Sequence, residues 1–113
     1  MNELVEFLTK PQRVINGSNS KGLQDFKDQI DRGYVFVKFT ETKGGTDLGV
    51  RMDQERSDIS KADFEAATGS VHIEGELTLN YVKVRCIADI NLENLEGEGY
   101  LQPLEDEDAE SVA

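Results

Sequence analysis

The chain has 113 residues, of which 37% are apolar and 31% are charged, with a single cysteine and a net charge of −11. This length suits one domain, and one cysteine excludes an internal disulfide framework and favours a reducing compartment. We therefore expect a cytoplasmic protein. We also expect no signal peptide and no membrane span, because the N-terminal residues include acids and the apolar runs are short.

The charge also limits the function. Direct binding of nucleic acid requires clustered Lys and Arg, and the 12 bases, set against 23 acids, form no such cluster in the sequence. A protein partner fits this balance better, and a basic partner would match the charge. Residues 104–113 hold five acids and no apolar period, so we predict a disordered acidic tail after a single domain at residues 1–103.

Two helices are predicted near the N-terminus. Residues 2–9 place apolar side chains on one face, and a proline ends the run. Turn formers follow in INGSNSKG, which predicts a loop. Residues 21–32 then predict a second helix, with Asn19 or Ser20 as its N-cap, an apolar stripe along one side, and Gly33 as its stop.

Two strands are predicted at residues 34–41 and 46–53, around the sequence Thr-Lys-Gly-Gly at 42–45, with Lys43-Gly44 as a two-residue turn. On the outward face this turn places Phe36 opposite Arg51, within reach of a cation–π contact. On the other face it makes every cross-strand pair apolar: Phe39 with Leu48, Val37 with Val50, and Val35 with Met52.

A third helix is predicted over DISKADFEAAT, residues 58–68, with Ser60 as its N-cap and Gly69 as its stop. Such a short helix needs tertiary support. Its packing residues are Ala62, Phe64 and Ala66.

Residues 71–101 alternate apolar and polar side chains, with two changes of phase. Tight turns at Asn80-Tyr81 and Glu93-Asn94 explain both changes and fold the stretch into a three-stranded meander. The polar face supports this register with three favourable pairs: Glu76 with Arg85, His72 with Asp89, and Ile87 with Tyr100. Either a closely packed helix or strand curvature explains the small inward residues Gly75, Cys86, Ala88, Gly97 and Gly99.

These elements predict an α+β fold. Two or three helices pack on one face of a mostly antiparallel sheet of about five strands, in the order ααββαβββ.

Few side chains carry chemistry. The register points Cys86 inward and His72 outward, which argues against a thiol–imidazole dyad. His72 beside Asp89 is typical of a surface pair, with a pH-sensing or ligand role as the alternative. The run that begins at Asp89 starts like a calcium loop but lacks the turn glycine and the final glutamate. We expect no enzyme, no cofactor and no metal site.

We hypothesise a small acidic protein that acts by binding another protein, as an inhibitor, immunity factor, assembly factor or chaperone. Two alternatives stay open. One is an acidic mimic of nucleic acid in a basic cleft, and the other is an enzyme or small-molecule carrier with a pocket near Val84, Cys86 and Phe26.

The candidate binding surface is the outward sheet face, where apolar and aromatic side chains interrupt the acids. It would serve a protein partner or a homodimer, and the alternative is that the N-terminal helix covers it. The candidate residues are Tyr34, Phe36, Arg51, Ile87 and Tyr100.

Overall fold

The computed structural model describes residues 3–17 and 21–104. Two helices and six strands follow one another in these residues: α1 (Glu3–Leu8), β1 (Gln12–Asn16), α2 (Leu23–Arg32), β2 (Tyr34–Phe39), β3 (Thr46–Arg51), β4 (Ser70–Leu79), β5 (Val82–Asn91) and β6 (Glu96–Pro103). All six strands form one antiparallel sheet in the order β3-β2-β1-β6-β5-β4. The sheet curls into a nearly closed barrel with two short helices, so the predicted α+β fold with helices on one face of a five-stranded sheet is wrong.

The barrel approaches closure at a seam between β3 and β4. The backbone N–H of Asp53, just after β3, donates to the carbonyl oxygen of Glu74 at 2.7 Å. Beside it, the carbonyl oxygen of Arg51 lies so close to Gly75 that a Cβ at this glycine would collide with it. Gly75 therefore allows the close contact between the two edge strands of the curled sheet.

The predicted meander is confirmed over its full length. β4 and β5 pair from Ser70↔Asn91 to Leu79↔Val82, and β5 and β6 pair from Asn91↔Glu96 to Val84↔Pro103. The two-residue turn at Asn80 and Tyr81 holds both residues at positive φ, 50° and 69°. These angles are those of a type I′ hairpin turn, whose twist matches the flanking strands.

Strand β1 lies where the sequence predicted a loop to begin. It pairs on one side with β2, through Val14↔Phe39, and on the other with β6, through Val14↔Gly97. Five residues, of which one inward residue is Asn16, carry too little alternation to be recognised as a strand. The pairing is decided by two distant strands that each offer an edge.

A buried polar network fastens β1 and β2 to α2. Asn16 and Gln29 are both buried, and the Asn16 side-chain amide donates to Gln29 Oε1 at 2.9 Å. The backbone N–H of Phe36 donates to the same oxygen at 3.0 Å. Asn16 also donates to the carbonyl oxygen of Phe36 at 3.0 Å. One glutamine side chain thus satisfies two donors at the point where helix and strands meet.

The β2–β3 hairpin forms with a register two residues away from the predicted one. Tyr34, not Phe36, pairs with Arg51, and Phe36 pairs with Gly49. The connection is longer than the predicted two-residue turn, with Gly44 at φ 76°. An even shift keeps every side chain on its predicted face, so Val35, Val37 and Phe39 stay inward and buried.

The prediction of a third helix is wrong. Residues 58–68, which the structure describes in full, form turns and isolated bridges instead. The Asp58 carboxylate accepts from the backbone N–H of Ser60 at 2.8 Å, and that of Asp63 accepts from two further backbone N–H groups at 3.0 Å. Aspartates that bind nearby backbone donors compete with helix formation.

Both N-terminal helices are confirmed, and they contribute to the barrel core. Val5 and Leu8 of α1 and Phe26 of α2 are fully buried among the inward residues of the strands. Gly33 ends α2 in the left-handed region, with φ 76°.

The predicted N-cap residues and residues 105–113 of the predicted tail lie outside the described residues. In the part of the chain that the structure describes, neither helix is long and apolar enough to span a membrane.

Candidate functional site

The structure divides the five predicted binding residues into two clusters. Tyr34, Phe36 and Arg51 lie together on β2 and β3. The rings of Tyr34 and Phe36 meet edge to face, with centroids 5.3 Å apart and an interplanar angle of 89°. The Tyr34 ring covers Gly49, where a Cβ would collide with it, and Arg51 is the cross-strand partner of Tyr34.

The second cluster is the pair Ile87 and Tyr100, which face each other across β5 and β6 as predicted. β1 separates the two clusters. At one end of β1, Gln12 pairs with Gly99, the neighbour of Tyr100; at the other end, Asn16 pairs with Val37, the neighbour of Phe36. In a curled sheet, outward residues on distant strands also point in different directions. The five predicted residues therefore fall in two groups, which lie on opposite sides of β1.

The described part of the N-terminal helix packs against the core. α1 directs Val5 and Leu8 into the core on the inner side of the sheet. Tyr34 keeps 42% of its surface exposed, whereas Ile87 and Tyr100 are half-buried by their neighbours.

A third apolar region lies at the end of the β4–β5 hairpin, which we call the hairpin end: Leu77, Leu79, Tyr81 and Val82. The three aliphatic residues continue the inward series of β4 and β5 and pack against the core, yet they are only partly buried. Tyr81 at the turn is fully exposed. The sequence carried a signal for this region, since apolar alternation runs up to a turn that contains a tyrosine instead of glycine.

Tyr81 also holds a conformation that L-residues other than asparagine rarely adopt. Its φ of 69° follows the φ of 50° at Asn80. A non-glycine residue in this region costs about 1–2 kcal/mol. A large side chain that is both strained and exposed to solvent is a feature that packing within the chain does not explain.

A polar cluster surrounds His72 on the outward face of β4. Its Nδ1 lies 2.8 Å from Asp89 Oδ1, and its Nε2 lies 2.7 Å from Glu74 Oε2. Partial burial opposes the charged ring, but the hydrogen bonds to the two carboxylates outweigh it and raise the pKa of His72. The predicted His72–Asp89 pair is thus confirmed, and Glu74 is a second partner of the ring that the sequence analysis did not name.

No group of His, Cys, Asp and Glu among the described residues is arranged to hold a metal ion. Around His72, both ring nitrogens face carboxylate oxygens. Cys86 is fully buried, and burial raises the pKa of its thiol to about 12. A thiol that stays protonated and inaccessible has no nucleophilic role.

The core and the acidic surface are relevant to the two alternative functions, the enzyme or small-molecule carrier and the mimic of nucleic acid. Val84, Cys86 and Phe26 are all fully buried within one packed core of the described residues, which does not favour the pocket that the carrier hypothesis requires. The outward acids are partly paired within the sheet: Arg13 with Glu96 and Arg85 with Glu76, each at 2.9 Å. Paired carboxylates form a poor imitation of a phosphate backbone.

The described part of the chain is a small barrel with a packed core, a buried cysteine and apolar residues exposed at the hairpin end, and exposed apolar residues of this kind often mark protein-binding surfaces. The sequence comparison agrees with protein binding. The chain belongs to the core binding factor beta subunit family, whose model matches residues 19–113. The family is non-catalytic and binds protein partners. No curated protein matches the chain.

Proposed function

We propose that this protein is the non-catalytic subunit of a two-protein complex and binds a transcription factor of the RUNX type through its hairpin end. Family membership supports the class of partner. The fully exposed Tyr81, on a strained turn beside half-buried leucines, supports the place of contact.

The hairpin end has the composition of an interface core. It presents a tyrosine and three aliphatic side chains, and interface cores are enriched in aromatic residues and depleted of charge. The two strands that carry it are held in register by the full β4–β5 ladder, so little conformational entropy is lost when a partner binds. Rigid, apolar and exposed side chains of this kind supply most of the binding free energy in measured interfaces.

The two predicted clusters remain candidate surfaces, and the chain allows all three surfaces to be compared with one type of substitution. It has three tyrosines: Tyr34 in the β2–β3 cluster, Tyr100 beside Ile87, and Tyr81 at the hairpin end. Each is replaced by serine separately. The affinity of each variant for a purified RUNX-type transcription factor is measured by titration calorimetry, and its folding is checked by thermal melting.

We expect Tyr81→Ser to weaken binding at least about tenfold, the loss typical of a central interface tyrosine, without lowering the melting temperature. Tyr34→Ser and Tyr100→Ser then serve as matched controls with smaller losses. If Tyr34→Ser or Tyr100→Ser weakens binding while Tyr81→Ser does not, the contact lies on a predicted cluster instead. If the wild-type protein does not bind such a factor, the proposed partner is wrong. Sedimentation of the protein alone shows whether a second copy occupies any of these surfaces.

A further inference from the structure

His72 is the only histidine of the chain, and its ring lies between two carboxylates. Both contacts are short, 2.8 Å from Nδ1 to Asp89 and 2.7 Å from Nε2 to Glu74. A neutral imidazole has one N–H group and one lone pair, so it donates to only one of two ionised carboxylates. Its other nitrogen would face a second acceptor. An imidazolium ion, which donates from both nitrogens, satisfies both contacts.

We propose that His72 is held as an imidazolium at neutral pH and acts as a pH-sensitive clamp, which fixes residues 53–69 on the edge of β4 and releases them as the pH rises. The proposal concerns a part of the barrel away from the hairpin end, and it stands independently of the proposed function.

The backbone of the same two β4 residues anchors this segment. Asp58 and His72 exchange two backbone hydrogen bonds, each 2.9 Å long. The Ser57 hydroxyl donates to the carbonyl oxygen of Glu74 at 3.1 Å and accepts from its N–H at 3.0 Å. Asp53 adds a third backbone contact to Glu74. The two residues whose side chains form the charged contacts are therefore also the strand positions to which residues 53–69 are attached.

The groups around the ring come from three elements. Glu74 lies on the same strand, and Asp89 lies on β5 as the cross-strand partner of His72. From the 53–69 segment come the remaining charged groups of a polar cavity of about 290 Å³, namely Arg56, Asp58 and Lys61. Hydrogen bonds from Ser60 hold the pKa of the Asp58 carboxyl below its usual range, so this third acid also stays ionised.

Loss of the proton from His72 changes the balance of positive and negative charge in this cluster. While His72 is charged, one cation lies among three carboxylates together with the nearby Lys and Arg. When it loses its proton, either Glu74 or Asp89 faces a ring lone pair, and the acids repel one another with less compensation. Because the pKa is raised in the folded protein, the stabilisation is complete below about pH 6.5 and is lost as the pH rises through the folded value.

The first test is an NMR titration of the His72 ring in protein that carries no histidine tag, so that one signal reports on one residue. We expect a midpoint clearly above the ordinary value of about 6.5. Asp89→Asn and Glu74→Gln should each lower the midpoint. Glu98→Gln is the matched control, because it removes a neighbouring acid across from Asp89 that does not contact the ring. A wild-type midpoint at or below the ordinary value would overturn the proposal.

The second test is amide hydrogen exchange at His72 and Asp58, compared at each pH between the wild type and His72→Gln so that intrinsic base catalysis cancels. We expect the extra protection of the wild type to fall by up to about tenfold for each unit of pKa elevation, between about pH 6 and pH 9. Equal protection in both proteins across this range would show that the ring does not hold the segment. If His72→Gln does not fold, the same comparison is made with Asp89→Asn.

Discussion

The β4–β6 meander and strand β1 belong to the same sheet, but they are specified in opposite ways. The meander strands contain 10, 10 and 8 residues, and each pairs with its neighbour in sequence. β1 has five residues, and one of its contacts, between Arg13 and Glu96, spans 83 positions. Local alternation is enough to fix a hairpin register, whereas a short strand depends on edges that distant strands present to it.

The comparison between the meander and β1 is tested most strongly by a substitution in the buried polar network that holds β1. Replacing Gln29 by Ala removes the acceptor of the Asn16 amide and of the Phe36 N–H. Each of the two buried donors left unpaired costs about 1–3 kcal/mol, so we expect a loss of about 2–6 kcal/mol in the free energy of unfolding. Urea denaturation measures it. Gln24→Ala, on the exposed side of the same helix, is the control, and equal losses for the two variants would contradict the role of the network.

A substitution inside the meander should cost less. Cys86→Ser places a hydroxyl in a fully buried site and should destabilise the protein by about 1–3 kcal/mol. Cys86→Ala separates the hydroxyl from the loss of volume, and a serine variant as stable as the alanine variant would show that the hydroxyl finds a partner. The native thiol should also react slowly with thiol reagents, because it is buried and its pKa is raised to about 12.

A substitution in the turn between β4 and β5 should raise the stability of the protein. Tyr81→Gly creates the Asn-Gly pair that type I′ turns favour, and it removes a left-handed non-glycine residue. We expect a stabilisation of about 1 kcal/mol, measured by denaturation, together with weaker partner binding. Asn80→Gly should gain less, since asparagine tolerates this conformation. If Tyr81→Gly destabilises the protein, the tyrosine contributes to folding and its exposure has another explanation.

The smallest effect is expected at the C-terminus. The composition of residues 105–113, rich in acids and without large apolar side chains, cannot offset the entropy of ordering. Their deletion should change the melting temperature by less than roughly 3 °C, which corresponds to under about 1 kcal/mol for a domain of this size. Leu104 stays in the shortened chain, because its N–H donates to Lys83. A larger drop would indicate that the tail docks on the barrel.

The sequence predicted which residues of the candidate sites lie opposite each other on neighbouring strands, but it did not predict how these pairs are grouped on the surface. The strand register predicted from the sequence placed Ile87 opposite Tyr100 and His72 opposite Asp89, and the structure confirms both pairs. Glu74 was missed as a partner of His72 because it is a neighbour along the same strand, a relation that cross-strand reasoning does not consider. The sequence analysis placed all five predicted binding residues on one outward face, and it did not foresee that β1 lies between the two groups.

The sequence by itself determined the meander, the α2 helix with its glycine stop, and the inward face of the β2–β3 hairpin. These depend on contacts between residues that are close in the chain, so a local period encodes them. Tertiary structure decided the rest. β1 is a strand because β2 and β6 both offer it an edge, residues 58–68 are turns because aspartates bind their own backbone, and the barrel approaches closure because Gly75 allows Arg51 to come near. Each of these outcomes depends on partners or competing hydrogen bonds that a hydrophobic pattern does not record.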